Sequence, residues 1–118
     1  MVAYNKIMEK MDEMDKIFKA LADSNRRKLL DQLFEKNGQT LNELCGHLDM
    51  TRQSVTKHLT ILEEANLIIV EWQGRSKLHY LNTAPIGEIY GRWVKKFEHH
   101  RIVALKELKN SLKEENRE

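Results

Sequence analysis

One cysteine in 118 residues, Cys45, excludes an internal disulfide and any zinc site built from cysteines alone. One proline and five glycines leave too few turn positions for an all-β fold stitched by tight turns, or for long flexible linkers. No uninterrupted apolar run exceeds four residues, as at Leu67 to Val70, so no helical membrane span fits. The N-terminal segment lacks the apolar stretch of a secretory signal peptide, and the expectation is a cytoplasmic protein with no membrane partner. Charge of one sign is also scarce. Twenty Lys/Arg against 18 Asp/Glu leave a net +2, too balanced to demand a polyanionic partner, although residues 92–118 carry eight cationic against five anionic side chains. No glycine-rich phosphate loop and no Ser/His/Asp or Cys/His constellation on facing elements is present, so neither enzyme chemistry nor a cofactor is expected.

What is present is helical periodicity within one expected domain, 1–118. Ile7, Met11, Met14, Phe18 and Leu21 recur every three or four residues, and Met8, Ile17 and Ala22 widen the stripe. This predicts a helix over 5–22 that serves either as an ordinary core helix or, with too few partners in so short a chain, as a dimer interface. Asp23 offers an N-cap to a second helix reaching Glu35, with Leu29, Leu30, Leu33 and Phe34 inward and Asn37 and Gly38 at its end. Thr40 with Glu43 reads as a capping box for a short third helix with Leu41, Leu44, Cys45 and Leu48 inward. Thr51 caps a fourth, with Met50 and Val55 placed to form a hydrophobic staple.

In that fourth helix Val55, Leu59 and Leu62 form one narrow apolar line, flanked by His58. At about 100° per residue Gln53, Lys57, Thr60 and Glu64 project away from it, with Ser54 and Thr56 on its shoulders. A merely solvated face normally carries Glu/Lys pairs. Arg52, Gln53, Ser54, Thr56 and Lys57 instead supply the donors and acceptors that suit base edges and phosphates. Asn66 should end the helix. Leu67 to Trp72 and Lys77 to Leu81 then read as a β-hairpin around Gln73 to Ser76, with Ile68, Val70 and Trp72 alternating and Leu78 and Tyr80 inward. Its basic tip, Arg75 followed by Lys77, would lie beside the fourth helix. From Pro85, a stripe of Ile86, Tyr90, Trp93, Phe97, Ala104, Leu108 and Leu112 predicts one continuous helix over 85–113, with Gly87 and Gly91 allowing close backbone approach. A helix of roughly 40 Å outruns what a domain this small can cover, so a second copy is expected on it.

The expected fold is therefore mainly α with a small β-hairpin, in the order of a winged helix-turn-helix with N- and C-terminal dimerisation helices. The segments ALADSNRRKLL (20–30), LNELCGHLDM (41–50), TRQSVTKHLTILEEANLI (51–68) and EWQGRSKLHYL (71–81) resemble the ArsR/SmtB family of bacterial repressors, over about residues 14–82. The resemblance implies a homodimeric repressor on double-stranded DNA. It further implies that TRQSVTKHL opens the recognition helix and that the first and last helices form the dimer contact. The expected DNA-contact set is Arg52, Gln53, Ser54, Thr56, Lys57, Thr60, Arg75 and Lys77; the expected interface set is Met11, Met14, Phe18, Tyr90, Trp93, Phe97 and Leu108. Ser24 departs from the proline that many relatives carry after the aspartate, a change that still permits a helix start.

Metal sensing in the family uses a Cys-Val-Cys motif at the start of the third helix or paired Asp/His and His/Glu ligands on the last, and neither pattern is visible here. The tail resembles a subgroup without recognised metal ligands, and no metal is expected. Cys45 aligns with a buried alanine of relatives. It lies two residues from His47, about 200° around a helix, so the pair cannot share one ion. His99 and His100 are adjacent and should diverge. The alternatives are a metal- or redox-responsive repressor using Cys45, or His99 and His100 with Glu98 or Glu107, and a dimeric protein-interaction module with secondary DNA binding. An effector of unspecified chemistry is the remaining expected partner.

Overall fold

The computed structural model describes residues 2–116, apart from the side chains at positions 2–4, 7 and 11. It divides into two units, Met1–Pro85 and Ile86–Glu118, the second beginning where the last helix was expected.

The first unit holds α1 (Val2–Leu21), α2 (Ser24–Glu35), α3 (Leu41–His47), α4 (Arg52–Glu64), β1 (Ile68–Gln73) and β2 (Ser76–Leu81). The starts of α2, α3 and α4 follow from their caps. The Asp23 carboxylate accepts from the backbone N–H groups of Asn25 and Arg26 at 2.8 and 3.2 Å. These bonds, led by that from Arg26, hold its pKa below the ordinary value. Thr40 and Glu43 form a full capping box, and the Lys36 ammonium, 2.9 Å from Glu43, leads the causes that depress the Glu43 carboxyl. Thr51 Oγ1 accepts from the Ser54 N–H at 3.1 Å. The end of α1 is closed from α2. Arg26 donates to the carbonyls of Ala20 and Lys19 at 2.7 and 3.0 Å, and Arg27 donates to that of Leu21 at 2.7 Å.

The core lies where α2 and α4 meet and where α1, α3 and the hairpin pack on them. Leu29, Leu33, Leu44, Val55, Leu62 and Leu67 are fully buried, each contributing about 1.5–3 kcal/mol by removal from water. Asn66, at φ +59°, turns the chain out of α4: its N–H reaches the Glu63 carbonyl at 2.9 Å, and the Leu67 N–H reaches that of Leu62, also at 2.9 Å. This is a Schellman closure, and the two residues it joins, Leu62 and Leu67, are both fully buried.

The expectations for Phe34, for the end of α2 and for the inward face of β2 are corrected. Phe34 is 80% exposed, because at 100° per residue it falls at the rim of the arc spanned by Leu29, Leu33 and Leu30. In α1 the buried residues are Ile17 and Ala20, while Phe18 is exposed and Met14 and Leu21 are half-buried; Ile7 and Met11 lie outside the described side chains. Asn37 does not close α2. Lys36 is already extended, Gly38 takes the left-handed φ of +78°, and the Gln39 amide donates to the carbonyls of Gln32 and Lys36 at 2.9 and 2.6 Å. The inward face of β2 is His79 and Leu81 rather than Leu78 and Tyr80. The register Ile68↔Leu81, Val70↔His79, Trp72↔Lys77 decides this, since directly opposed residues share a face. A histidine is tolerated there because its Nδ1 lies 2.9 Å from the Gln39 carbonyl oxygen, while their backbones bridge.

The chain continues as α5 (Ala84–Ile89), whose first two residues belong to the first unit, then as a π-helical segment Tyr90–Val94 and α6 (Lys95–Glu115). The expected uninterrupted α-helix is thus broken by a π turn, closed by the Lys95 N–H on the Tyr90 carbonyl. Apolar spacing does not report the extra residue in such a turn. Gly87 and Gly91 face open space, with nothing within 4 Å of where a methyl group would stand, so no backbone approaches them among the described residues.

Candidate nucleic-acid interface

Because Val55, Leu59 and Leu62 anchor α4 in the core, the opposite side of the helix must face solvent. Arg52, Gln53, Thr56, Lys57 and Thr60 are exposed there, and Ser54 is half-buried. The Arg52 guanidinium donates to Asn42 Oδ1, which ties the first turn of α4 to α3. Thr56 and Thr60 donate their hydroxyl protons back to the carbonyls of Arg52 and Thr56 at 2.9 and 3.0 Å, leaving oxygen lone pairs outward. Gln53 and Lys57 have no side-chain partner among the described residues, so the amide and the ammonium are available to a ligand.

The hairpin stands beside this face. Its two-residue loop is Gly74–Arg75, with Gly74 at φ +61°, the first-position glycine of a type II′ turn. Arg75 is exposed and has no ion-pair partner among the described residues, whereas Lys77 Nζ lies 3.9 Å from Glu63 Oε1 on α4. Between α3, α4 and the hairpin runs a cleft of about 380 Å³, lined by Asn42, Arg52, Thr56, Trp72, Arg75 and Lys77 among others. Leu59 and His79, each 3% exposed, also line it. The eight residues expected to meet DNA are therefore all in the first unit, and five of them, Arg52, Thr56, Thr60, Arg75 and Lys77, border the cleft. Sequence reasoning missed three neighbours. Trp72 is 65% exposed instead of packed inward, Asn42 orients Arg52, and Glu63 pairs Lys77. Only Trp72 carried a signal, its position opposite a lysine across the hairpin.

In the second unit Tyr90, Trp93, Phe97 and Leu108 of the expected interface set are all exposed, together with Ile102, Leu105 and Leu112. The Tyr90 hydroxyl donates to Glu98 Oε2 at 2.8 Å, and that carboxylate raises the phenol's pKa. Arg92 lies 5.5 Å from the centroid of the Trp93 ring. His99 and His100 do not diverge as expected: their rings meet edge to face with centroids 6.2 Å apart. No group of three or more His, Cys, Asp or Glu side chains able to hold a metal occurs among the described residues. Cys45 is half-buried, and no helix is long and apolar enough to cross a membrane among those described.

A helix-turn-helix domain family matches residues 21–71, which spans α2 to β1. An HTH-type transcriptional regulator of Bacillus subtilis, YuzN, is 40% identical over 86 residues, covering 68% of this chain and 94% of that one. The transcriptional repressor SdpR of the same organism is 33% identical over 73 residues, covering 62% and 80%. A crystal structure of an ArsR family transcriptional regulator superposes with a TM-score of 0.64 at 29% identity, over 76% of this chain and 92% of that one. With a recognition-type helix beside a basic wing and relatives of this kind along most of their length, the chain belongs to the ArsR/SmtB family of winged helix-turn-helix, DNA-binding transcriptional regulators.

Proposed function

We propose that the protein is a cytoplasmic, homodimeric repressor that binds a pseudo-palindromic operator and blocks a promoter by occupying it, with no catalytic step of its own. The observation that carries this reading is the two-sidedness of α4. One line of the helix is locked in the core, and the other presents Arg52, Gln53, Ser54, Thr56, Lys57 and Thr60 beside the wing cations Arg75 and Lys77. A helix so exposed enters the major groove, where Gln53 can pair with adenine and Arg52 and Lys57 can meet guanine or phosphate. The wing cations meet the flanking backbone.

The dimer half of the reading rests on exposed apolar surface. Trp93, Phe97, Ile102, Leu105, Leu108 and Leu112 all stand at least half exposed in the single chain, a patch that a second copy would cover. A two-fold dimer presents its recognition helices to half-sites roughly 34 Å apart, which makes the operator an inverted repeat.

Selection of bound fragments from the source genome, followed by footprinting, tests the whole. Protection of an inverted repeat overlapping a promoter is the expected result. Fragments no more enriched than random duplex, or protection of a lone half-site, would contradict it.

A further inference from the structure

We propose that the cleft between α4 and the hairpin is an effector site for a planar aromatic carboxylate, seated against Trp72 with its anion on Arg52 and Arg75, and that its occupancy excludes DNA. The exclusion rests on the DNA-contact reading above; the ligand site stands on its own geometry. At about 380 Å³ the cleft falls within the size range of small-molecule pockets. Three cationic side chains, Arg52, Arg75 and Lys77, face one carboxylate, Glu63, and Lys77 already lies 3.9 Å from that carboxylate. The surplus positive charge is carried by two guanidinium forks, which match a carboxylate's two oxygens. Asn42 holds one of the forks in place.

The apolar part of the lining selects the rest of the ligand. Trp72, 65% exposed overall, lines the cleft together with Leu41 and the buried Leu59. A DNA phosphate or a free inorganic anion would neutralise the guanidinium groups and leave the indole uncovered. A flat ring bearing a carboxylate covers the indole by stacking and satisfies the cations at once. Thr56, Thr60 and Ser76 add adaptable hydroxyls around it. The same Arg52, Arg75 and Lys77 cannot serve the ligand and the DNA backbone together, so the two partners weaken each other reciprocally.

Calorimetric titration of the full chain with 2-naphthoate, 2-naphthalenemethanol and inorganic phosphate tests the site. Expected is one naphthoate per chain, weakened about tenfold by Trp72→Ala and by Arg75→Ala but unchanged by Lys57→Ala, which lies outside the cleft. The alcohol and phosphate should bind far more weakly, and naphthoate should displace a fluorescent duplex. Absence of naphthoate binding, or equal binding of the alcohol or phosphate, overturns the ligand class. Binding indifferent to both Trp72→Ala and Arg75→Ala overturns the location. Naphthoate bound in the cleft without displacing duplex overturns the exclusion. Naphthoate in the cleft of a protein that binds no duplex at all upholds the ligand site and overturns the exclusion together with the DNA reading.

Discussion

Lys77 on the wing and Glu63 on α4 are joined by an ion pair, Nζ to Oε1 at 3.9 Å, with both side chains partly open to solvent. Such a pair adds at most about 1 kcal/mol to the fold. It does, however, place an anion beside a cation assigned to the DNA backbone. Glu63→Gln should therefore leave the thermal midpoint nearly unchanged while strengthening binding to operator and random duplex alike, most at low salt. Fluorescence anisotropy at two salt concentrations reads this. Weaker binding by the variant would show that Lys77 depends on Glu63 for its position.

Two glycines should respond oppositely to the same methyl group. At Gly38 a Cβ would meet the Tyr80 ring at 3.0 Å with φ at +78°, so Gly38→Ala should cost more than about 1 kcal/mol. At Gly46, in α3, nothing lies within 4 Å, and Gly46→Ala should add about 0.5–1 kcal/mol. Urea denaturation of both variants checks the contrast.

Acid should loosen the first unit through its caps. The folded-state pKa values of Asp23 and Glu43 lie below their ordinary values of 3.8 and 4.5. Their stabilisation is therefore fully present above those ordinary values and is lost as pH falls through them toward the depressed ones. The unfolding midpoint should fall below about pH 4.5. Asp23→Asn with Glu43→Gln should lower the midpoint at pH 7 and flatten its fall in acid. An unchanged acid slope in the double variant would remove these two carboxylates from the account.

The parts of this fold that were legible in the sequence are those governed by local chemistry. Asp23, Thr40 and Thr51 announce their helices because a cap is a bond within three residues, and the Val55–Leu59–Leu62 line announces a two-sided helix by its spacing. The polar residues of α4 then had only one side to occupy. What escaped depends on distant partners. The inward face of β2 is decided by the bridge from His79 to Gln39, 40 residues away. The exposure of Trp72 depends on which neighbours reach it, and the π turn at Tyr90–Val94 leaves the apolar spacing intact.

Phe97, 66% exposed in the single chain, should be covered in a dimer. Light scattering after chromatography should give twice the chain mass for the wild type at micromolar concentration. Phe97→Asp would bury a charge at that interface and should yield monomers or insoluble protein. A well-behaved monomeric wild type would sink the dimer.

The most direct measurement is the affinity of the wild type, Gln53→Ala and Arg75→Ala for the selected operator and a scrambled duplex, titrated against salt. Base edges carry sequence and phosphates do not, so Gln53→Ala should cost about 1–3 kcal/mol on the operator and little on the scrambled duplex. Arg75→Ala, and Lys57→Ala with it, should weaken both duplexes alike and reduce the salt slope by about one unit for each phosphate left without its cation. If Gln53→Ala weakens both duplexes equally while Arg75→Ala leaves the slope intact, α4 and the wing do not meet DNA as described.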